Sequence, residues 1–195
     1  MSAPVTLGFD TSGHHCAAVL IWGDGQIAHV QEDMAKGQAE RLMPLLETLL
    51  ADHGFRWSDL TAIGVGVGPG NFTGIRIAVS AARGLGLGLG IPLLGVSMFD
   101  STRALANTGQ TIVPPPRGQA YFMDFDTGTG PLHCADTTDL GPAAIATDYS
   151  VSDHVIAIAK IARAQAGPDT PPPAPLYVKP ADAAPPRDAA PVILA

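Results

Sequence analysis

The sequence predicts an α/β fold, and three patterns carry this prediction. Short apolar runs with strand composition alternate with longer segments that have helical spacing. Leucines recur at helical spacing within 38–53, which indicates a helix with one buried face. The run from Ala62 to Gly84 combines a strand, a glycine-proline turn and the start of a second helix. Strands that alternate with crossing helices are typical of an α/β sheet.

The first elements form a predicted β-meander. Val5–Asp10 and 16–22 are two apolar strands separated by the turn Thr11-Ser12-Gly13. Gly23-Asp24-Gly25 then turns the chain into a third strand, 26–32. A helix over 38–53 follows the meander, and its Pro44 either begins the regular part or kinks it. The apolar stripe of this helix comprises Leu42, Leu45, Leu46, Leu49 and Leu50.

A strand, a turn and a second helix come next. Apolar residues separated by glycines predict a strand that ends at Val67. Gly68-Pro69-Gly70 breaks this strand, and Asn71 or Thr73 caps the following helix. Free backbone N–H groups and the positive end of the helix dipole meet at the turn, so it can hold an anion. The turn lacks the lysine of a P-loop, and a tight structural corner is the other interpretation.

The rest of the chain predicts a smaller second region. We expect a strand over 91–96, a short helix over Met98–Ala106, a hairpin of 111–113 with 120–125, and a helix over 151–166. The following segment is rich in proline and alanine, which predicts an extended tail folded over the body. The predicted divisions are an N-terminal lobe of 1–106, a reduced C-terminal lobe of 107–167 and a tail of 168–195.

The composition favours a soluble protein of the cytoplasm with a sizeable core. Hydrophobic residues make up 46% of the chain, and its formal net charge is -7. That charge argues against tight nucleic-acid binding by the chain alone, because Lys and Arg drive such binding. Cys16 and Cys134 lie far apart without a CxxC motif, so no disulfide framework or zinc site is indicated. Neither a signal peptide nor an apolar run long enough to span a bilayer is predicted.

Several motifs carry a family resemblance. They are Leu7-Gly8-Phe9-Asp10-Thr11-Ser12, Glu40-Arg41-Leu42-Met43-Pro44, Gly68-Pro69-Gly70-Asn71-Phe72-Thr73-Gly74-Ile75-Arg76 and Pro175-Leu176-Tyr177-Val178-Lys179-Pro180. With these motifs the chain resembles the bacterial TsaB (YeaZ) family, closely in its first half and in patches in its second. The resemblance implies a ribonuclease-H-like lobe of the actin, Hsp70 and sugar-kinase superfamily, followed by a reduced second lobe of related type.

The resemblance also implies a function. TsaB-like proteins are non-catalytic partners of the TsaD-type transferase that installs threonylcarbamoyl on the adenosine beside the tRNA anticodon. The chain is therefore expected to be a scaffold of that complex rather than an enzyme, to help recruit a TsaE-like ATPase and to form a homodimer when alone. It would reach tRNA only through the complex. No cofactor of its own is expected, since ATP and metal belong to the partner subunits.

The predicted partner contact lies on the two long helices. Small residues recur every four positions along the second helix, and such a row lets another helix approach closely. Packing inside the protein's own core is the alternative, and the family resemblance favours the interface. The row comprises Gly74, Ala78, Ala82, Gly86 and Gly90. The expected partner-binding residues are Leu42, Leu45, Leu49, Gly74, Arg76, Ala78 and Ala82. For Arg76 and Arg83, phosphate, a partner's carboxylate and pairing within the chain are the open alternatives.

An independent ATP-binding phosphotransferase of the same superfamily is the alternative function. Asp10, Thr11 and Ser12 stand where the superfamily ATPases place their first phosphate loop, and we expect a vestigial loop here. The second acidic loop is missing, because the corresponding region reads Pro114-Pro115-Pro116-Arg117. Asp10-Thr11-Ser12-Gly13 and Asp126-Thr127-Gly128 also match aspartic-protease signatures superficially, but that fold is almost wholly β.

Metal chemistry is not expected either. Relatives of the TsaD enzyme carry a paired-histidine motif on the first helix, where this chain has Gln38-Ala39-Glu40-Arg41-Leu42. The histidines are interpreted as surface or hydrogen-bonded polar residues, and none is nominated for a site. They are His14, His15, His29, His53, His133 and His154.

Overall fold

The computed structural model describes residues 4–114, 120–134 and 143–178, which form two sheets with helices packed on them. The first sheet has the strand order β3-β2-β1-β4-β5. Its first three strands are antiparallel neighbours, whereas β4 and β5 run parallel to β1. The predicted α/β class and opening meander are therefore confirmed. The strands are β1 (Val5–Asp10), β2 (His15–Trp22), β3 (Gln26–Asp33), β4 (Leu60–Gly66) and β5 (Leu93–Val96).

Helices cover both faces of this sheet. Helices α1 and α2 pack on one face, where alternate residues of β1, β2 and β4 meet the leucine stripe in the largest core cluster. The last helix, α4, covers the opposite face. Asn71 caps α2 by accepting the Gly74 N–H at 3.0 Å, as its position predicts. The helices are α1 (Gln38–Asp52), α2 (Phe72–Leu89), α3 (Met98–Ala106) and α4 (Val151–Gln165).

Helix α4 lies unusually close to the sheet, because glycines face it. A Cβ atom on Gly8 would lie 2.7 Å from the Cβ of Ala159, and one on Gly64 would lie 2.8 Å from the Cβ of Ala162. Only glycine allows a backbone to approach a helix at this distance. The prediction placed this helix in the C-terminal lobe, whereas the structure packs it on the first sheet. One face of the first sheet is thus covered by residues from the second half of the chain.

The second sheet is smaller and has the order β8-β7-β6-β9. Strands β6 and β7 form the predicted hairpin, and β9 adds parallel to β6. Phe99 of α3, Val113 and Ala146 are buried together between this sheet and α3. The strands are β6 (Gln110–Val113), β7 (Ala120–Asp124), β8 (Thr129–Cys134) and β9 (Ala144–Ile145).

An extended segment, 171–178, crosses the carboxyl end of the first sheet and is called the strap here. The Leu176 N–H donates to the Val67 carbonyl at 2.8 Å, and the Leu176 side chain packs against two core clusters. Arg83 fastens the strap from α2, since its Nε donates to the Pro173 carbonyl at 2.8 Å. Residues 179–195 of the predicted tail lie outside the described residues, as do Pro115, Pro116 and Arg117. Within the described ranges, no helix has the length and apolar character needed to cross a membrane.

Candidate functional site

Asp10 is the centre of a buried polar cluster at the carboxyl end of β1. Its Oδ2 accepts three hydrogen bonds: from the Ser12 N–H at 3.0 Å, the Ser12 hydroxyl at 2.8 Å and His15 Nε2 at 2.9 Å. Asp10 is only 6% exposed. These hydrogen bonds offset the free-energy cost of burying the carboxylate, and buried acidic side chains are usually hydrogen-bonded in this way.

The loop after Asp10 is fastened to the start of α2. The Thr11 hydroxyl donates to the Gly74 carbonyl at 2.7 Å, and the Asn71 N–H donates to the Ser12 carbonyl at 2.6 Å. A Cβ on Gly74 would lie 1.9 Å from the Thr11 carbonyl oxygen. Asp10, Thr11 and Ser12 therefore join the sheet to α2, and the polar groups named here are engaged internally.

The space beside Asp10 is small. A cavity of about 40 Å³ lies there, lined by His15, Ser101 and His154 among others. His154 Nε2 donates to the Ala146 carbonyl at 2.9 Å, and its Nδ1 is hydrogen-bonded to the Ser101 hydroxyl at 2.8 Å. Pockets for small-molecule ligands typically measure about 300–1,000 Å³. The cavity suits water molecules, and a nucleotide does not fit.

The side chains of the described residues also give no support for a bound metal ion. Within the described ranges, no group of three or more His, Cys, Asp or Glu side chains is placed to hold an ion. On α1, Gln38 Nε2 donates to the Met34 carbonyl at 3.2 Å, and Leu42 lies in the core. Cys16 is also buried, and this burial raises the pKa of its thiol to about 11. Gln38, Leu42 and Cys16 therefore do not provide metal ligands in the described part of the chain.

Asp10 and Asp126 do not share a cavity. Asp126 lies in the turn between β7 and β8, where its N–H donates to Asp124 Oδ1 at 2.9 Å. Its side chain lines a different, open cavity of about 630 Å³ that is bordered by β5, α3 and α4. The superficial match to an aspartic-protease pair is therefore not reflected in the geometry.

The predicted small-residue ridge on α2 is wrong as an exposed surface. Ala78 and Ala82 are fully buried, and a Cβ on Gly86 would lie 2.6 Å from the Leu93 side chain. Gly74 faces the loop after Asp10. The leucines of α1 are buried as well, in the core cluster beneath α1 and α2. The spacing of four residues reflects close packing against the chain's own sheet. The buried leucines are Leu42, Leu45 and Leu49.

A second row of small residues lies on the outer side of α2. Ser80, Gly84 and Gly88 are exposed at the same spacing of four, and a Cβ on either glycine would meet nothing within 4 Å. Leu87 beside them is 88% exposed. Sequence analysis did not single out this row, because the same periodicity occurs on both sides of the helix.

An apolar groove runs between α1 and α2, and we call it the α1–α2 groove. It measures about 390 Å³, and its lining includes Ala39 and Met43 from α1 with Ile77 and Ala81 from α2. Arg76 forms part of its rim and is the one predicted partner-binding residue among the seven that is exposed. Its guanidinium lies 3.9 Å from the centre of the Phe72 ring, and its Nε donates to the Tyr177 hydroxyl at 2.8 Å.

Comparisons with known proteins place these features in a family context. Residues 28–120 match the family model described as "TsaD: tRNA N6-adenosine threonylcarbamoyltransferase". YeaZ from Pseudomonas aeruginosa is similar in structure, with 29% identity and a TM-score of 0.52 over 63% of this chain. These findings support assignment of the chain to the TsaB (YeaZ) family. The matched part of the chain spans 59% of the length of that YeaZ.

A second solved structure supports the same fold for this chain. It is an uncharacterized protein with similarity to peptidase YEAZ from Pseudomonas aeruginosa, and it shares 22% identity. The TM-score is 0.65 over 92% of this chain and 100% of that one. At this identity the likeness concerns the fold alone. Among curated proteins, none matches the sequence.

Proposed function

We propose that the chain is a non-catalytic subunit of the complex that forms N6-threonylcarbamoyladenosine in tRNA, and that it binds and activates a TsaD-like transferase. The observation that carries the proposal is the open, apolar α1–α2 groove in a chain of the TsaB family. Helices on one face of a domain commonly pack against partner helices through such grooves. The groove replaces the buried ridge as the docking surface.

The fold is part of the proposal. The order β3-β2-β1-β4-β5, with an antiparallel meander followed by two parallel strands, supports a ribonuclease-H-like lobe of the actin, Hsp70 and sugar-kinase superfamily. Enzymes of that superfamily use the space beside the first strand for phosphate. In this chain the Asp10 carboxylate is hydrogen-bonded internally and the adjacent cavity measures about 40 Å³. The engaged carboxylate and the small cavity support assigning the nucleotide chemistry to partner subunits.

The wider assembly follows from the family resemblance. We propose a cytoplasmic complex in which a TsaE-like ATPase joins the pair and tRNA is bound through the complex. The formal net charge of -7 supports this division, since phosphate contacts require Lys and Arg. A homodimer through the same helices is proposed for the chain on its own.

Substitution in the groove tests the docking surface. Ala81→Arg places a charge on the partly exposed floor of the groove, so we expect the variant to stay folded and to lose co-purification with a TsaD-like transferase. Ala164→Arg, on the exposed side of α4, is the matched control and should leave binding intact. Circular dichroism checks the fold. A folded Ala81→Arg variant that still binds the transferase contradicts the proposed surface.

An ATPase assay separates the proposal from an independent phosphotransferase. With magnesium and no partner, the isolated chain should hydrolyse ATP no faster than background, because Asp10 is engaged in three hydrogen bonds. Turnover that disappears in Asp10→Asn would instead favour the phosphotransferase. Turnover unaffected by that change would indicate a contaminating enzyme.

A further inference from the structure

The outer edge of β5 is open within the described part of the chain. β5 is the last strand of the first sheet and pairs there with β4 alone. The Val67 N–H donates to the Val96 carbonyl at 3.0 Å, which turns the backbone of Val96 toward β4. Because backbone groups alternate in direction along a strand, the N–H and C=O of Gly95 point away from β4. Such an edge can accept a further strand.

The open cavity that Asp126 lines lies along this edge, and we call it the β5 cavity. It measures about 630 Å³, which is in the range of ligand pockets. Leu94 of β5 and Ile161 of α4 are partly exposed and supply apolar surface. Arg103 lines the cavity from the last turn of α3, and Asp126 lines it from the turn between β7 and β8. The β5 cavity therefore combines a strand edge, apolar surface and charges of both signs.

The two charged side chains are positioned by their neighbours and lack an ionic partner among the described residues. The Arg103 guanidinium lies 4.6 Å from the centre of the Phe125 ring. The Asp126 carboxylate lies against Gly109, where a Cβ would collide with its oxygens. Neither Arg103 nor Asp126 belongs to the ion pairs of the described ranges. A guanidinium that is already oriented loses less conformational entropy when it binds a carboxylate.

We propose that the β5 cavity binds an extended peptide segment of a partner protein, which adds as a sixth strand beside β5. The segment carries an acidic residue that pairs with Arg103 and a basic residue that pairs with Asp126. β5 has 4 residues, so it extends about 13 Å and matches a segment of similar length. Addition of a strand to an exposed sheet edge is a recurring mode of peptide recognition. The site is separate from the α1–α2 groove and does not rest on transferase binding.

The positions of the charges favour a peptide over a free amino acid. Arg103 and Asp126 lie on different elements and do not pair with each other. The groups that bind them are therefore also separated, as are two side chains of one strand. A free amino acid carries both charges on a single carbon and leaves the Gly95 backbone unpaired.

Selection from a phage library of random hexapeptides tests the proposal, with the full chain as bait. Counter-selection against the double variant Arg103→Glu with Asp126→Lys removes peptides that bind elsewhere. The remaining peptides should share one acidic and one basic position. Their synthetic consensus should bind the chain in fluorescence anisotropy, and each single reversal should weaken binding about tenfold or more, because like charges then face each other. The double variant should prefer the consensus with its two charges exchanged, which also shows that the variant is folded.

N-methylation of the peptide separates strand addition from binding by side chains alone. In a strand, every second N–H faces the neighbouring strand. Methyl groups on one alternate set of peptide nitrogens should therefore abolish binding, whereas methyl groups on the other set should leave most of it. The matched control is Lys160→Glu with Asp169→Lys, which reverses two exposed charges outside the β5 cavity and should bind the consensus as wild type does.

Three outcomes overturn the inference. They are a selection that enriches no peptide after counter-selection, a consensus that binds both single variants as tightly as wild type, and equal effects of the two methylated sets. Displacement of the consensus by free glutamate and lysine would identify a pocket for small molecules and would also overturn it. Failure of the proposed function has a separate readout, namely a wild-type chain that does not bind the TsaD-like transferase.

Discussion

At the residue scale, the glycines of α2 show how one spacing serves two purposes. Gly74 faces inward, where a Cβ would collide with the Thr11 carbonyl, whereas Gly84 faces open space. The sequence presents both as small residues on the same helix. Gly74 and Gly84 differ only in burial, and burial depends on which side of α2 packs on the sheet.

Alanine substitution of these two glycines should have opposite effects. Gly74→Ala should lower the free energy of unfolding by about 1–3 kcal/mol, because the backbone of the Asp10 loop must move. Gly84→Ala should raise it by about 0.5–1 kcal/mol, because alanine restricts the unfolded chain and fits the helix. Urea unfolding at a concentration where the chain is monomeric measures both. Equal effects of the two substitutions would contradict the assigned orientation of α2.

The buried pair of Asp10 and His15 was within reach of sequence reasoning. In β1, Asp10 alternates with Gly8 and Thr6, and in β2, His15 alternates with Ala17. This period of two places both polar side chains on the α4 face of the sheet. The predicted strand began at residue 16 and left His15 outside it, which concealed the pairing. By contrast, the contact of Phe72 with Tyr177 joins residues far apart in the chain, and no local pattern indicates it.

At the element scale, α4 is specified by contacts that its own pattern does not reveal. Its helical spacing predicted a helix over 151–166, and the structure has Val151–Gln165. The partner of its apolar side could not be predicted, because the matching glycines, Gly8 and Gly64, lie in distant strands. A helix period identifies the buried side of an element but not the element that covers it.

The close approach of α4 gives a test at this scale. Ala162→Leu should destabilise the fold by about 1–3 kcal/mol, because Ala162 is fully buried and meets Gly64. Ala164→Leu, two positions away on the exposed side, should change stability by no more than about 0.5 kcal/mol. Thermal or urea unfolding compares them. Tolerance of Ala162→Leu would contradict the packing of α4 on the sheet.

The start of α4 should make stability depend on pH. Hydrogen bonds from the Ser150 hydroxyl and N–H hold the pKa of Asp153 below its usual value. A lowered carboxyl pKa stabilises the fold above the unfolded-state pKa, and this contribution is lost as the pH falls through the folded-state pKa. Asp153→Asn should therefore be less stable than wild type at pH 7. The difference should shrink below pH ~4, which urea unfolding at several pH values would measure. A constant difference would contradict this role of Asp153.

At the scale of the whole molecule, the two halves of the chain are joined more closely than the predicted lobes suggest. The first sheet takes α4 from the second half, and the strap packs Leu176 against the core clusters of both regions. The strand and helix order of the first half was predictable because each element has its own periodicity. The way the second half completes the first was not, because it depends on contacts between distant residues.

The position of α4 has a consequence during protein synthesis. When the ribosome has released residues 1–106, all five strands of the first sheet have emerged, but the helix that covers Ala17, Val19 and Ile21 has not been made. One apolar side of the nascent sheet then faces solvent until α4 follows. Exposed surfaces of this kind attract chaperones and promote aggregation. We therefore expect a fragment of residues 1–106 to be insoluble unless a peptide of the α4 sequence is supplied with it.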